Sequence, residues 1–147
     1  MAKRIMALDV GDKWIGVAVS DETHLIAQSL PSIKRHDLSS DLASLNATAH
    51  EWQVEKIVVG LPLNMNATVG PQAQKTLQFA ERLGQVVSVP IATWDERLTT
   101  QQAERLLIER DVRREHRKAV IDGVAASLIL QGYLDHQRLV ERGDSDG

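Results

Sequence analysis

Cysteine is absent from this 147-residue chain. Disulfides, thiol nucleophiles and thiolate-bound zinc go with it, and the absence fits a reducing compartment. Long apolar runs are missing too. None approaches the ~20 residues that a helix needs to cross a bilayer, and Met1-Ala2-Lys3-Arg4 leads into only a short apolar run, unlike a secretory leader. The chain therefore reads as cytoplasmic, with no membrane partner. Asn46-Ala47-Thr48 and Asn66-Ala67-Thr68 match the N-glycosylation pattern, which carries no weight without secretion. No glycine-lysine-serine/threonine run offers a P-loop, and no glycine run offers a dinucleotide fingerprint. The five histidines show no metal-ligand spacing and no serine or cysteine nucleophile partner. Net positive charge is also lacking: 17 Lys+Arg against 20 Asp+Glu leave −3, so any grip on nucleic acid needs a local basic patch.

What is present is an ordinary globular balance, 43% hydrophobic and 25% charged, in a length that suits one domain. Residues 1–140 read as that domain, and 141–147 as a disordered polar tail. Arg4 to Val10 and Trp14 to Ser20 read as strands joined by the turn Gly11-Asp12-Lys13. Leu25 to Ile33 is a weaker third strand, ending near Pro31. Leu38, Leu42, Leu45, Ala49 and Trp52 recur at helical spacing after a plausible N-cap, Asp37. Lys56 to Gly60 is continuously apolar after its lysine, as in a strand buried on both faces.

A loop then leads to Gly70-Pro71 and a helix faced by Ala73, Leu77, Ala80 and Leu83, with Gly84 as its stop. Val86 to Trp94 reads as the last strand, placed at an edge by Pro90. Thr99 and Gln102 suggest a capping box for a helix carrying Ala103, Leu106 and Leu107. A final helix spans about Ala119 to Gln137. The order predicts an α/β fold: a five-stranded mixed sheet, its first three strands an antiparallel meander, flanked by helices. Ligands of such sheets gather at the carboxyl ends of the parallel strands.

Three acidic positions lie where chemistry would be expected. Asp9 sits inside an apolar run, Asp95 and Glu96 end the last strand, and Asp122 stands beside Ile121 and Val124. Buried carboxylates repel unless a proton or cation intervenes. Two divalent ions could draw such acids together and promote phosphodiester hydrolysis. Strand alternation allows only one of Asp95 and Glu96 to reach a metal directly. From spacing alone, each acid is also readable as a cap, a surface group or a salt-bridge partner. Arg110, Arg113, Arg114, His116, Arg117 and Lys118 form the densest basic segment, just before Asp122. It suits a phosphate backbone, or equally a solvated loop. Trp14, Trp52 and Trp94 could stack on bases, although Trp52 falls on the core stripe. Asn64 and Asn66 could bind substrate or position their loop. Gly11 serves the turn.

Asp9-Val10-Gly11-Asp12-Lys13 with Ile15 to Asp21, Val58 to Asn64, Thr68 to Ala73, Asp95 to Thr100, and Val120-Ile121-Asp122 with Ala125-Ala126 and Ile129-Leu130 together resemble the YqgF/RuvX family. These are Holliday-junction resolvases, also described as pre-16S ribosomal RNA nucleases. The resemblance spans about Arg4 to Leu134. It implies a ribonuclease H-like fold and Mg²⁺- or Mn²⁺-dependent endonuclease activity on structured nucleic acid. The substrate would be pre-ribosomal RNA in ribosome biogenesis, or branched DNA in recombination and repair. By position, Asp9, Glu96 and Asp122 would be the catalytic, metal-binding acids, with Asp95 and Gly11 supporting. Lys13, Trp14, Asn64, Arg97, Arg114, Arg117 and Lys118 would meet nucleic acid. Cutting a two-fold junction would favour a homodimer. Two residues depart from the family pattern: Trp14 replaces the usual arginine, and Ala67 replaces a glycine. A non-catalytic RNA- or ribosome-binding assembly factor on the same fold is the alternative. A phosphotransferase like the actin-like ATPases would need a second such domain.

Overall fold

The computed structural model describes residues 3–96 and 114–146, with side chains for 3–96 and 124–140. Its elements in chain order are β1 (Arg4–Val10), β2 (Trp14–Ser20), β3 (Ala27–Lys34), α1 (Leu38–Glu51), β4 (Val54–Leu61), α2 (Pro71–Val86), β5 (Ile91–Asp95) and α3 (Arg114–Asp146). The strands form one sheet in the order β3-β2-β1-β4-β5. The meander is antiparallel, while β1–β4 and β4–β5 are parallel.

Side-chain alternation divides the core between the two faces. Met6, Leu8, Val10, Ile57 and Val59 point to one face, where they meet Leu42 and Leu45 of α1 and Phe79 and Leu83 of α2. Ile5, Ala7, Ala18 and Val58 point to the other, against Ala126, Ile129, Leu130, Tyr133 and Leu134 of α3. Central strands covered on both sides have no solvent face to keep polar, which is why β1 and β4 read as near-continuous apolar runs.

Local signals explain several junctions. Asp37 caps α1 by accepting from the Ser40 amide at 2.8 Å. That bond and the Ser40 hydroxyl hold its carboxyl below the usual carboxylate range. In the β2–β3 connection Asp21 accepts from the amides of Leu25 and Ile26 at 2.8 and 2.9 Å. These bonds, led by Ile26, also hold its carboxyl low. Gln131 of α3 accepts from the Ala27 amide at 3.0 Å and donates to the Leu25 carbonyl at 2.9 Å, clamping that connection to the helix.

Several boundaries differ from expectation. β3 continues through Pro31 to Lys34, because it is an edge strand whose register slips opposite Gly16, between the pairs Ile15–Ile33 and Val17–Leu30. Gly84 does not stop α2, which runs on to Val86. A Cβ at Gly84 would lie 3.6 Å from Ile91 Cδ1, an ordinary packing distance, so the helix continues beside β5. The last strand consequently starts at Ile91 rather than Val86. The buried face of α2 is Ala73, Thr76, Phe79, Ala80 and Leu83, leaving Leu77 exposed. The final helix begins five residues before Ala119 and continues to Asp146, across the stretch expected to be a polar tail. Glu141 and Arg142 are strong helix formers, and proline is absent there. The helix expected over Ala103 to Leu107 lies outside the described residues. No helix among the described residues is long and apolar enough to cross a membrane.

One ion pair, buried at its Asp41 end, ties both helices of the α1/α2 layer to the turn after β1. Asp41, 2% exposed, accepts from Arg35 Nε at 3.2 Å and from the His36 amide at 3.0 Å. Arg35 Nη1 donates to the Gly11 carbonyl at 3.0 Å, and its guanidinium lies 5.2 Å from the Phe79 ring centroid. Removing one partner of such a pair strands the other charge. Asp41→Asn is expected to cost about 2–4 kcal/mol in urea unfolding, below the ~3–5 of a fully buried pair because Arg35 stays partly exposed.

Candidate active site at the carboxyl ends of the parallel strands

Asp9 shares the α3 side of β1 with Ile5 and Ala7, because side chains alternate along the strand. Its antiparallel partner is Gly16. On β4 the same face carries Val58 and then Gly60. On β5 it carries Trp94, which packs in the α3-side cluster, so Glu96 two residues on returns to that face and Asp95 takes the other. The Glu96 amide extends the ladder by donating to the Leu61 carbonyl at 3.2 Å.

β1 and β5 are not neighbours; β4 lies between them. At ~4.8 Å per strand step, their ends stand ~9.6 Å apart. Side chains from the two can meet only over β4, and the β4 residue there is Gly60. A Cβ on Gly60 would fall 2.6 Å from Glu96 Oε2 and 2.5 Å from Ile129 Cδ1. The carboxyl of Glu96 thus lies on bare backbone, with Oε2 shielded from solvent. The Glu96 carboxyl also comes within hydrogen-bonding reach of the Asp9 carboxyl.

Burial pushes the Glu96 carboxyl up from 4.5 to about 8. The charge of Asp9, their hydrogen bond and the charge of Asp95 add to the rise. Two carboxyls this close share a proton near neutrality and titrate as a pair. A cation between them reverses the balance, favouring two ionised groups. Hard carboxylate oxygens are the donors that Mg²⁺ and Mn²⁺ prefer. The pair therefore fits a divalent ion. Among the described residues no set of three His, Asp or Glu forms a metal-binding group. The side chain of Asp122 lies outside them. The Asp122 backbone is helical in α3, four residues before Ala126 and seven before Ile129, at a register position on the stripe that packs on the sheet.

The other expected site residues are placed as follows. Gly11 closes the β1–β2 turn, its amide donating to the Trp14 carbonyl at 2.9 Å. A Cβ there would crowd that same oxygen at 2.9 Å. Lys13 is exposed in the turn. Trp14 starts β2 in the alternation of Gly16 and Ala18, on the face of Asp9, and is 38% exposed. Asn64 is engaged within its own loop. Its amide donates to Thr68 Oγ1 at 3.0 Å and packs where a Cβ on Gly70 would be 2.9 Å from its Oδ1. Ala67 in that loop has φ 67°, a left-handed conformation that disfavours a side chain by ~1–2 kcal/mol. Arg97 lies outside the described residues. Arg114, Arg117 and Lys118 are helical in α3, their side chains likewise outside.

Sequence reasoning missed two contributors. Gly60 read only as the end of an apolar strand; its position on the Asp9 face is the signal that the site needs an empty place there. Arg35 carried no motif, yet its amide donates to the Lys13 carbonyl at 2.9 Å and its side chain holds Gly11.

The sequence model of the family described as "RuvX: Holliday junction resolvase" matches residues 3–136. The chain belongs to the RuvX family. A relative from Thermoanaerobacter pseudethanolicus is 54% identical over 136 residues, covering 92% of this chain and 98% of its own. One from Clostridioides difficile is 54% identical over 132 residues, covering 90% and 94%. Both bear the name "Putative pre-16S rRNA nuclease". Among solved structures, RuvC of T. thermophilus in complex with a Holliday junction substrate matches with a TM-score of 0.54 at 16% identity, over 86% of this chain and 91% of that one. The fowlpox virus Holliday junction resolvase matches with a TM-score of 0.53 at 13% identity, over 90% and 99%. These likenesses identify the ribonuclease H-like fold.

The raised Glu96 value fixes the sign of a pH effect. Between about 4.5 and about 8 the folded protein holds a proton that the unfolded chain has released, so this group's contribution to stability falls as pH rises through that window. Glu96→Gln mimics the protonated form. Metal-free Glu96→Gln is expected to melt higher than wild type at pH 8 and to lose the difference toward pH 4.5, read by thermal melts across pH.

Proposed function

We propose that this RuvX-family protein is a divalent-metal-dependent endonuclease that hydrolyses phosphodiester bonds in structured RNA, maturing the 5′ end of pre-16S rRNA in the cytoplasm. The observation that carries the reading is the Asp9–Glu96 pair, held over Gly60 at the carboxyl ends of β1 and β5. The names borne by its relatives favour RNA as the substrate. The family description keeps branched DNA as the second substrate to test.

Asp9, Glu96 and Asp122 would hold Mg²⁺ or Mn²⁺. A bound ion would activate water and stabilise charge at the phosphorus. The residues of the chain do the rest. Glu96 gives up its proton when the ion binds, so affinity rises with pH toward 8. Asp95, on the opposite face, adds negative charge without occupying the site. Lys13, Arg97, Arg114, Arg117 and Lys118 hold the phosphate backbone, and Trp14, on the Asp9 face, stacks on a base. Asn64 acts through the shape of its loop. A two-fold substrate would call for two copies of the chain.

The test is a cleavage panel in Mg²⁺ and in Mn²⁺: a precursor 16S rRNA 5′ end, a four-way DNA junction and single-stranded RNA. Wild type should cut the precursor end. Asp9→Asn should fold normally by circular dichroism and cut nothing; metal-dependent cleavage by this variant would sink the assignment. RNA binding with neither metal binding nor cleavage would instead identify an assembly factor.

Gly60→Ala provides a separate check on the cradle. Both atoms that its Cβ would strike end flexible side chains, so the fold should survive while the Glu96 carboxyl shifts. Cleavage should fall about 100-fold with little change in the urea midpoint, as displacements of ~1 Å do elsewhere.

A further inference from the structure

We propose that a groove on the opposite face of the sheet, between the β1–β2 turn and helices α1 and α2, binds a nucleotide unit through its phosphate and its base. The groove is about 300 Å³. That is the lower end of the ~300–1,000 Å³ usual for small-ligand sites, so it suits one nucleotide rather than two.

Its lining divides by chemistry. Val10, Leu38 and Phe79 give it an apolar floor. The Arg35 guanidinium lies over the Phe79 ring and is ion-paired with Asp41, so it offers a polar wall more than a free charge. The charge comes from Lys75 and Arg82, and Asp12 is the one acidic residue among the described residues that line the groove. They stand seven residues apart on α2, two helical turns along one side. Among the described residues neither takes part in an ion pair. Gln72 and Gln78 add amides that can both donate and accept at a base edge. A flat apolar floor, amides and two cations are together the recognition chemistry of a phosphorylated base. An apolar metabolite would leave the cations unused, and inorganic phosphate would leave the floor unused.

The groove opens beside Gly11-Asp12-Lys13, just past Asp9 but on the other side of the sheet. It involves neither acid and no metal, so it stands apart from the nuclease assignment. The nucleotide could be free, or could be the phosphorylated end of a strand.

Calorimetric titrations in EDTA with adenosine 5′-monophosphate, a 5′-phosphorylated RNA hexamer and inorganic phosphate test the site. Wild type should bind the monophosphate or the hexamer more tightly than phosphate. The double variant Lys75→Glu/Arg82→Glu changes exposed residues on α2. It should keep its melting temperature and weaken binding about tenfold or more. Asp9→Asn should bind as wild type does. Binding of the monophosphate supports the site and identifies a free nucleotide; binding of the hexamer alone supports it and identifies a strand end. The proposal is overturned if neither binds, if phosphate binds as well as both, if the double variant binds unchanged, or if Asp9→Asn abolishes binding.

Discussion

Two half-buried carboxyls placed in hydrogen-bonding range are unstable as a pair of anions, and the architecture of the α3 face turns on that fact. Asp9 and Glu96 come from strands separated by a third, so they can meet only above β4. Gly60 leaves the space, and Ile129 of α3 closes it from above. An alanine in place of Gly60 would have suited the strand better by propensity and would have kept the acids apart. The raised Glu96 value follows from this placement. Without a cation the pair keeps a proton; with one it becomes a ligand set.

The support behind the pair is rigid on the side away from α3. Asp9 is followed at once by the β1–β2 turn, whose carbonyls at Gly11 and Lys13 both accept from Arg35. Arg35 is held in turn by Asp41 and by the Phe79 ring. A single side chain thus links the turn to α1 and α2. A buried ion pair contributes little net stability over an apolar replacement, but it fixes geometry. Here it fixes the end of the strand that carries Asp9.

The sheet was legible because its signals were redundant. β1 and β2 show alternation or continuous apolar runs bounded by a glycine turn, and β4 shows the run of a doubly covered strand. Each of these strands appeared where expected to within two residues. Boundaries failed where a local signal competed with packing. Gly84 looked like a stop but lies within a helix packed beside Ile91, and Pro31 looked like an end but fits a slipped edge strand. Asp9 was legible as a carboxylate out of place. That Glu96 rather than Asp95 turns toward it depends on the parity of β5, which the pattern Ile91-Ala92-Thr93-Trp94 does not reveal until Trp94 is seen to pack under α3. Gly60 and Arg35 were illegible for a different reason. Their roles are defined by what lies across the sheet, and no spacing along the chain encodes that.

The two faces of the sheet divide the work unequally. The α1/α2 face is filled by large side chains, Met6, Leu8, Ile15, Ile57 and Leu83 among those fully buried. The α3 face is built from smaller ones near the acids: Ala7, Ala18 and Gly60 on the strands, Ala126 on the helix. Small residues let α3 approach the sheet closely, so the acid pair is desolvated by helix and sheet backbone rather than by a thick apolar layer. The desolvation that raises Glu96 also places it where an ion would be coordinated in a low-dielectric setting, with stronger attraction for its ligands. The same burial therefore disfavours the metal-free anion and favours the metal-bound one. Filling this face with larger side chains would stabilise the metal-free fold and remove the room in which the acids meet.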